Sequence, residues 1–562
     1  MPCSETENCL AYLRATDPHV DKTRIENIKG GLHRDSYKWI LEHDDFMLWR
    51  EEGNKGEQSR LLWIKGDPGK GKTMLLIGII EELKNDLKTK NPDTGILSFF
   101  FCEGTNSRIN NAKAVLRGLI YLLVTQQPSL ISHLSGKLPE EENEFAALLE
   151  TFKNILEDRG KKRTYLIIDA LDECETDLPM LLDFILTISK KFSHVKWIVS
   201  SRGRRDIEQG LQRVESRTNL SLELKKNAEN VSLAVNTYIE YHVSNLTLVQ
   251  DHLDLQKQIQ VEMKKKADDT FLWASFVVKE LEKETLQEEL LKVLDDMPMG
   301  LPDLYWRMMK QIQRRKRRDL TLCNSVLSTV TAAYDPLHLQ ELGILSGLPD
   351  LPVKDVANVV NMCGSFLTIR DENVYIIHQS AKEFLFASIF PRGAGYVHYA
   401  MFSRSLQALS DTLERDMYKL RNPGVSIKQA QAMVKGADPD PLRSLRYSCI
   451  YWVNHLRDAD SNSYLMEKFL HYLEILGLIG STLDGEPFVT SLETFLMIGL
   501  IVWFFELIWN WWGNDLRDRG RVCEFLRNKF LYWLEALSLT GNVSDGVVAV
   551  RTLESLCSVS FS

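Results

Sequence analysis

Gly66-Asp-Pro-Gly-Lys-Gly-Lys72-Thr73 gathers what a nucleoside triphosphate needs: glycines at tight turns, a lysine and a hydroxyl. The stretch fits G-x-x-x-x-G-K-[ST], in which backbone N–H groups at a helix N-terminus face the phosphates. Lys72 would reach the outer phosphates and the Thr73 hydroxyl would ligate Mg2+. Gly66, Asp67, Pro68, Gly69, Lys70, Gly71, Lys72, Thr73 and Met74 are therefore the candidate nucleotide contacts. A second chemical group closes Thr164-Tyr-Leu-Ile-Ile-Asp169-Ala-Leu-Asp172-Glu173. An apolar run ending in acid reads as a buried parallel strand with carboxylates at its C-terminal end. Asp169 is the candidate Mg2+ ligand beside Thr73, and Asp172 or Glu173 would orient or deprotonate an attacking water. Val195-Lys-Trp-Ile-Val-Ser-Ser-Arg202 supplies the third group, a guanidinium placed to sense a γ-phosphate or stabilise developing charge. Arg204 and Arg205 compete for that task, and surface ion pairing is the reading for both.

These groups need strands that end at one edge. Leu61-Leu-Trp-Ile precedes the glycine loop, the helical-looking Met74–Lys84 follows it, and Gly95-Ile-Leu-Ser-Phe-Phe-Phe reads as a further strand. Strands near 61, 95, 164 and 195 with helices between them describe a doubly wound parallel α/β sheet, whose ligands sit at the strand C-termini. The 562 residues suggest roughly three or four domains. A net charge of −9 offers no global basic field for nucleic acid. Nine scattered cysteines without a C-x-x-C pair fit reduced thiols, and the N-terminus lacks a secretory pattern, so the expected compartment is the cytoplasm. Arg314–Arg318 and Lys264–Lys266 read as solvated helix faces.

GDPGKGKT, LIIDALDEC and WIVSSRG in this order resemble the NACHT NTPases of the STAND class, in the type found in fungal vegetative incompatibility proteins. The stretch Cys9–Leu41 resembles the lead-in that precedes the phosphate loop in that family, and a small residue followed by two further acids after Asp169 is a NACHT trait. The resemblance implies a helical lead-in over 1–58, a P-loop NTPase core over 59–225, a helical domain over 226–312 and a winged-helix-like domain over 313–395. An α-helical region over 396–562 would follow. It also implies a switch that binds ATP or GTP with Mg2+, rests with ADP or GDP, self-associates when activated and hydrolyses slowly. By the same resemblance His378, in Tyr375-Ile-Ile-His378-Gln-Ser380, is the candidate latch on the diphosphate; a histidine that caps or packs at a helix start is the competing reading. No WD40 blade period follows the NACHT region. A nucleotide-loaded scaffold that never turns over is the rival function.

The C-terminal third repeats itself: about 464–496 matches 525–557, from Lys468-Phe-Leu-His-Tyr-Leu-Glu to Lys529-Phe-Leu-Tyr-Trp-Leu-Glu. Each copy reads as a helix, an Asp-Gly turn and a second helix, a packing role for unknown protein partners. Residues 496–512 are apolar with Glu506, Asn510 and clustered tryptophans. They read either as a buried or partner-facing helix or as membrane contact, although a central carboxylate costs a membrane span about 2.5–3.5 kcal/mol.

Overall fold

β1 (Leu61–Lys65), β2 (Gly95–Phe101), β3 (Arg163–Asp169), β4 (Val195–Ser201) and β5 (Asn219–Glu223) pair in parallel in the computed structural model, in the order β2-β3-β4-β1-β5. The structure describes residues 9–559 except 15, 29–30, 32, 52–58, 91–94, 135–143, 160–161, 213–218, 349–350, 391–392, 420–439, 460–478, 482–486, 490–514 and 541. The chain forms two compact units, Met1–Gln311 and Ile312–Ser562.

In the first unit, β2 and β4 are buried at every position, as continuous apolar runs covered on both faces must be. Leu61, Trp63, Phe100, Leu166, Ile168, Trp197 and Val199 share one core with helices Ala112–Gln126, Glu144–Asp158 and Leu178–Lys191. Helix Lys72–Lys90 lies against β2, β3 and β4, flanked by Arg34–Leu41, while Asp44–Arg50 covers β1 and β5. The sheet is therefore an α/β doubly wound P-loop NTPase core. Strand alternation puts Ile167 and Asp169, and likewise Ile198 and Ser200, on the face opposite that first core. The sequence patterning does not reach β5, since Asn219-Leu-Ser-Leu-Glu alternates instead of running apolar. It sits at the sheet edge beside β1, where Ser221 is exposed and Leu222 buried. The lead-in is tied down by Lys196, whose buried amine donates to the carbonyls of Trp49 and Glu51. Beyond the sheet, helices Ala228–Ser244, Leu253–Lys266, Phe271–Leu281 and Gln287–Asp296 follow, with Leu301–Gln313 after them. Trp273 anchors this segment by donating its indole N–H to Pro298 O at 3.0 Å.

The second unit opens with helix Arg317–Ala332, then β6 (Leu337–His338), helices Leu339–Leu345 and Val353–Met362, β7 (Leu367–Arg370) and β8 (Asn373–Ile376). The three strands form an antiparallel sheet in the order β6-β8-β7. Arg314–Arg318 are all exposed, as expected of solvated cations, but Arg314, Arg315 and Lys316 lie in the turn between helices Leu301–Gln313 and Arg317–Ala332 instead of on a helix face. The buried Glu341 carboxylate accepts from His338 N at 2.9 Å and from Tyr447 N at 2.8 Å, so one acid caps its own helix and holds the start of helix Arg446–Arg457. Helices Gly395–Thr412, Arg446–Arg457, Asp515–Thr540 and Val543–Val559 close around Phe402, Trp452, Phe525 and Trp533.

The second copy of the repeat is a helix, a turn and a second helix as expected, but its turn is displaced, and the first copy departs from that pattern. In the second, Asp545-Gly546 lies inside helix Val543–Val559, and the chain turns earlier, where Asn542 N donates to Leu537 O at 2.8 Å. Asp545 suits the first helical turn through the helix dipole. A Cβ on Gly546 would stand 2.6 Å from Leu537 Cδ1, so the glycine serves close helix approach. In the first copy, β9 (Ile479–Ser481) and β10 (Pro487–Val489) pair antiparallel where a helix pair is expected. Pro487, which stands where the second copy has Val548, disfavours helix there. The stretch 496–512 lies outside the described residues. Among those described, no helix is long and apolar enough to cross a membrane.

Gly78 gives a direct test of how the lead-in packs on the phosphate-loop helix. A Cβ there would stand 2.4 Å from the Tyr37 ring. Gly78→Ala is expected to lower stability by about 1–3 kcal/mol through overpacking, read by urea unfolding, and Tyr37→Ala in the same chain should recover part of that loss. A Gly78→Ala midpoint equal to the parent's would show that the two helices are not in this contact.

Candidate nucleotide site

The glycine loop leaves β1 at its C-terminal end, where Gly66 N donates to Ser201 O of β4 at 3.2 Å. Gly69 and Gly71 take φ of 76° and 88°, a left-handed backbone that glycine adopts without strain. The space a side chain would need is already filled: a Cβ on Gly69 would meet Thr270 at 2.8 Å and one on Gly71 the Phe271 ring at 2.7 Å. Lys70 is drawn to the same segment, its amine donating to Asp268 O at 2.7 Å. Asp67 and Pro68 lie in the loop's turn. Lys72, Thr73 and Met74 begin helix Lys72–Lys90, so their backbone carries the positive end of its dipole. Lys72 donates to Gly66 O at 2.6 Å and to Asp67 O at 3.0 Å. Burial holds its amine below the usual lysine range, opposed by the negative charges of Asp172 and Asp169. The loop lysine and the acidic strand end are thus brought together.

Asp169 closes β3 and is 3% exposed. The pairing of Ile168 with Val199 puts it alongside Ser200, whose hydroxyl donates to Asp169 Oδ1. Ala170 follows at φ 55°, in the left-handed region. The sharp turn carries Leu171 into the core and leaves Asp172 and Glu173 on the site side. Asp172 does not stand alone: its Oδ1 accepts from Arg202 N at 3.0 Å and its Oδ2 pairs with Arg202 Nε at 3.0 Å. Arg204 adds a bond to Asp172 O at 2.8 Å while pairing with Asp206 at the surface, in keeping with the ion-pair reading. Glu173 is half-buried with its carboxyl turned inward, where Oε2 accepts from Gly104 N at 2.9 Å. Burial pushes that carboxyl up to about 8, with Asp172 adding to the rise and the Gly104 bond opposing it.

The phosphate loop, Asp169, Asp172, Glu173 and Arg202 therefore converge at one edge of the sheet. Arg202 and Asp172 are engaged with each other there. The turn that bears Arg202 is itself braced by β1: Trp63 Nε1 donates to Ser201 Oγ at 2.8 Å, and Lys65 pairs with Glu208 at 2.8 Å. His378 belongs to the second unit, as the N-cap of helix Gln379–Ile389; its Nδ1 accepts from Ser380 N at 3.1 Å. That is the capping role weighed against the latch. Sequence reasoning missed Ser200, Gly104, Thr270 and Phe271. The hydroxyl pair before Arg202 was the one visible signal among these; nothing local marks a phenylalanine far along the chain as a neighbour of Gly71.

The residues fit a magnesium-chelated nucleotide by their donor set. A buried carboxylate and a hydroxyl at a helix N-terminus suit Mg2+, a lysine suits phosphate oxygens, and the glycine backbone can approach phosphate closely. Residues 35–202 match the family model described as Nephrocystin 3, N-terminal. The chain is 43% identical to the vegetative incompatibility protein HET-E-1 of Podospora anserina over 578 aligned positions, covering 98% of this chain and 38% of that protein. The chain thus spans well under half the length of that relative. Among solved structures, a Walker-type ATPase of Pyrococcus abyssi matches at 12% identity and a TM-score of 0.32, over 63% of this chain and 95% of that one. The Aeropyrum pernix ORC1 protein, solved with DNA, matches at 12% and 0.29, over 64% and 92%. Likeness this distant adds nothing to what the strand order shows. Identity of this degree along nearly the whole chain, together with the three motifs at one sheet edge, makes this protein a member of the NACHT NTPases of the STAND class, in the vegetative-incompatibility type.

Proposed function

We propose that the chain is a nucleotide-dependent signalling switch in non-self recognition or programmed cell death. It would bind ATP or GTP with Mg2+, close around the diphosphate and self-associate in the triphosphate state. The observation that carries this reading is the convergence of Lys72 with Asp169 and Asp172, from separate strands, at the C-terminal sheet edge. Thr73 and Asp169 would hold Mg2+, which when bound screens phosphate charge and fixes its orientation. Lys72 would exchange the loop carbonyls for phosphate oxygens, regaining in charge pairing what burial takes from its amine. Hydrolysis would require the Asp172–Arg202 pair to open, freeing a guanidinium for the terminal phosphate and a carboxylate for water. A site that must first break its own ion pair suits slow turnover. The strand and helix order from Arg317 to Ile376 would serve as the winged-helix portion. His378 Nδ1 is engaged in capping, so contact with a diphosphate would fall to Nε2.

The scaffold alternative has its own support, because Asp172 is paired and Glu173 is held neutral, leaving neither free as an ionised base. Multiple-turnover phosphate release that disappears in Asp172→Ala or Glu173→Ala separates the switch from a scaffold that never turns over.

Lys72→Ala should weaken nucleotide binding by about 2–5 kcal/mol, more than about 25-fold, measured by titration of a fluorescent nucleotide and by mass spectrometry of nucleotide retained by the purified protein. Unchanged binding would reject the site. Glu173 gives a pH test. The unfolded chain ionises this carboxyl near 4.5 while the folded protein keeps its proton to about 8, so stability falls as pH rises through that window and levels above it. Glu173→Gln removes the titration, and its stability relative to the parent should grow from pH 5 to pH 8 in urea unfolding. A difference that stays flat across those pH values would show that Glu173 ionises normally in the folded protein.

A further inference from the structure

We propose that Ser200 is a positioning residue for the Mg2+-side carboxylate, one hydroxyl that fixes both the rotamer of Asp169 and the turn delivering Asp172 and Glu173. The inference rests on the nucleotide-binding reading above and assigns Ser200 a part in it. Three observations meet at this side chain. The β3–β4 register sets Ser200 beside Asp169, and alternation points both toward the face that carries helix Lys72–Lys90. Ser200 Oγ donates its proton to Asp169 Oδ1, and its lone pair accepts from Ala170 N at 2.9 Å. Ser200 is fully buried and Asp169 nearly so.

A serine hydroxyl has one proton to give. Here that proton is committed to Oδ1, which leaves Asp169 Oδ2 as the oxygen we assign to the cation. The accepted bond acts on the backbone instead. Ala170 carries a Cβ at φ 55°, a conformation unfavourable for alanine, and its N–H is held by Ser200 just where the strain lies. Glu173 N donates to Ala170 O at 2.8 Å, so the same residue sets the course of the short turn through Asp172. Removing the hydroxyl leaves a buried carboxylate oxygen and a buried N–H without this partner, freeing the carboxylate to rotate and the turn to relax. Residues that orient a metal ligand from behind characteristically change metal affinity more than they change the rest of the site.

The test uses the full chain with Ser200→Ala and Ser200→Thr, and reads binding of a fluorescent nucleotide against Mg2+ concentration and again in excess chelator. Ser200→Ala should raise the Mg2+ concentration for half-maximal binding by about ten- to a hundredfold, with Mg2+-free binding unchanged. Ser200→Thr, which keeps the hydroxyl, should restore the parent's Mg2+ response. A parent-like Mg2+ midpoint in Ser200→Ala, or an equal loss with and without Mg2+, overturns the assignment. Should the alanine variant not fold, Ser200→Cys takes its place: a thiol is a weak donor, so a shifted Mg2+ midpoint supports the role and an unshifted one rejects it. If the unmodified chain binds no nucleotide, or Lys72→Ala binds as well as the parent, the nucleotide reading itself fails and this assignment falls with it; otherwise only the role of Ser200 is at stake.

Discussion

The placement of β4 between β1 and β3, in parallel and in one register, is the constraint from which the site follows. Because all three strands run the same way, the glycine loop, the acidic turn and the Ser200–Arg202 segment leave the sheet at the same edge. Side chains alternate strictly along a strand, so a slip of one residue between β3 and β4 would send Asp169 into the core that holds Phe152 and Phe184. The apolar neighbours forbid that slip. Ile168 and Val199 must stay buried on one face, and the carboxylate and hydroxyl beside them are thereby committed to the other.

Charge at this edge is compensated internally. Lys72 donates to its own loop carbonyls, Asp172 and Arg202 hold each other by side chain and backbone, and Glu173 keeps its proton through burial. Such a site exchanges partners on binding rather than filling a charge vacancy. The free energy of binding is then the difference between two satisfied networks, which makes the outcome sensitive to small shifts of the surrounding elements. Thr270 and Phe271 are among those elements, since they lie against the two left-handed glycines and leave no space for side chains there. The loop and the first turn of helix Phe271–Leu281 are accordingly in close contact.

In the second unit, packing carries the structure. Glu341 shows the economy of the arrangement, because one buried carboxylate satisfies the N–H groups of His338 and Tyr447 at once. His378 likewise uses its Nδ1 locally, accepting from Ser380 N at the start of helix Gln379–Ile389. The repeat shows how similar sequence yields different local structure. Asp545-Gly546 sits inside a helix whose glycine lets Leu537 approach, whereas the matching region of the first copy has Pro487 in place of Val548 and forms a short strand pair.

The phosphate loop, the acidic strand, the arginine strand and the parallel α/β class were all legible along the chain. Each is a local pattern in which a few adjacent residues bias backbone conformation, and short apolar runs rich in β-branched and aromatic residues and ending in acid or arginine suit buried parallel strands. The edge strand β5 escaped because partial exposure turns its pattern into a brief alternation. What the tertiary structure alone decided were relations through space: the Asp172–Arg202 pair, 30 positions apart, and the Lys70–Asp268 bond, 198 apart. The grip of Ser200 on Asp169 and the retained proton of Glu173 are of the same kind. Such features depend on which strands become neighbours and how much water is excluded between them, and both are set only when the sheet and its helices close.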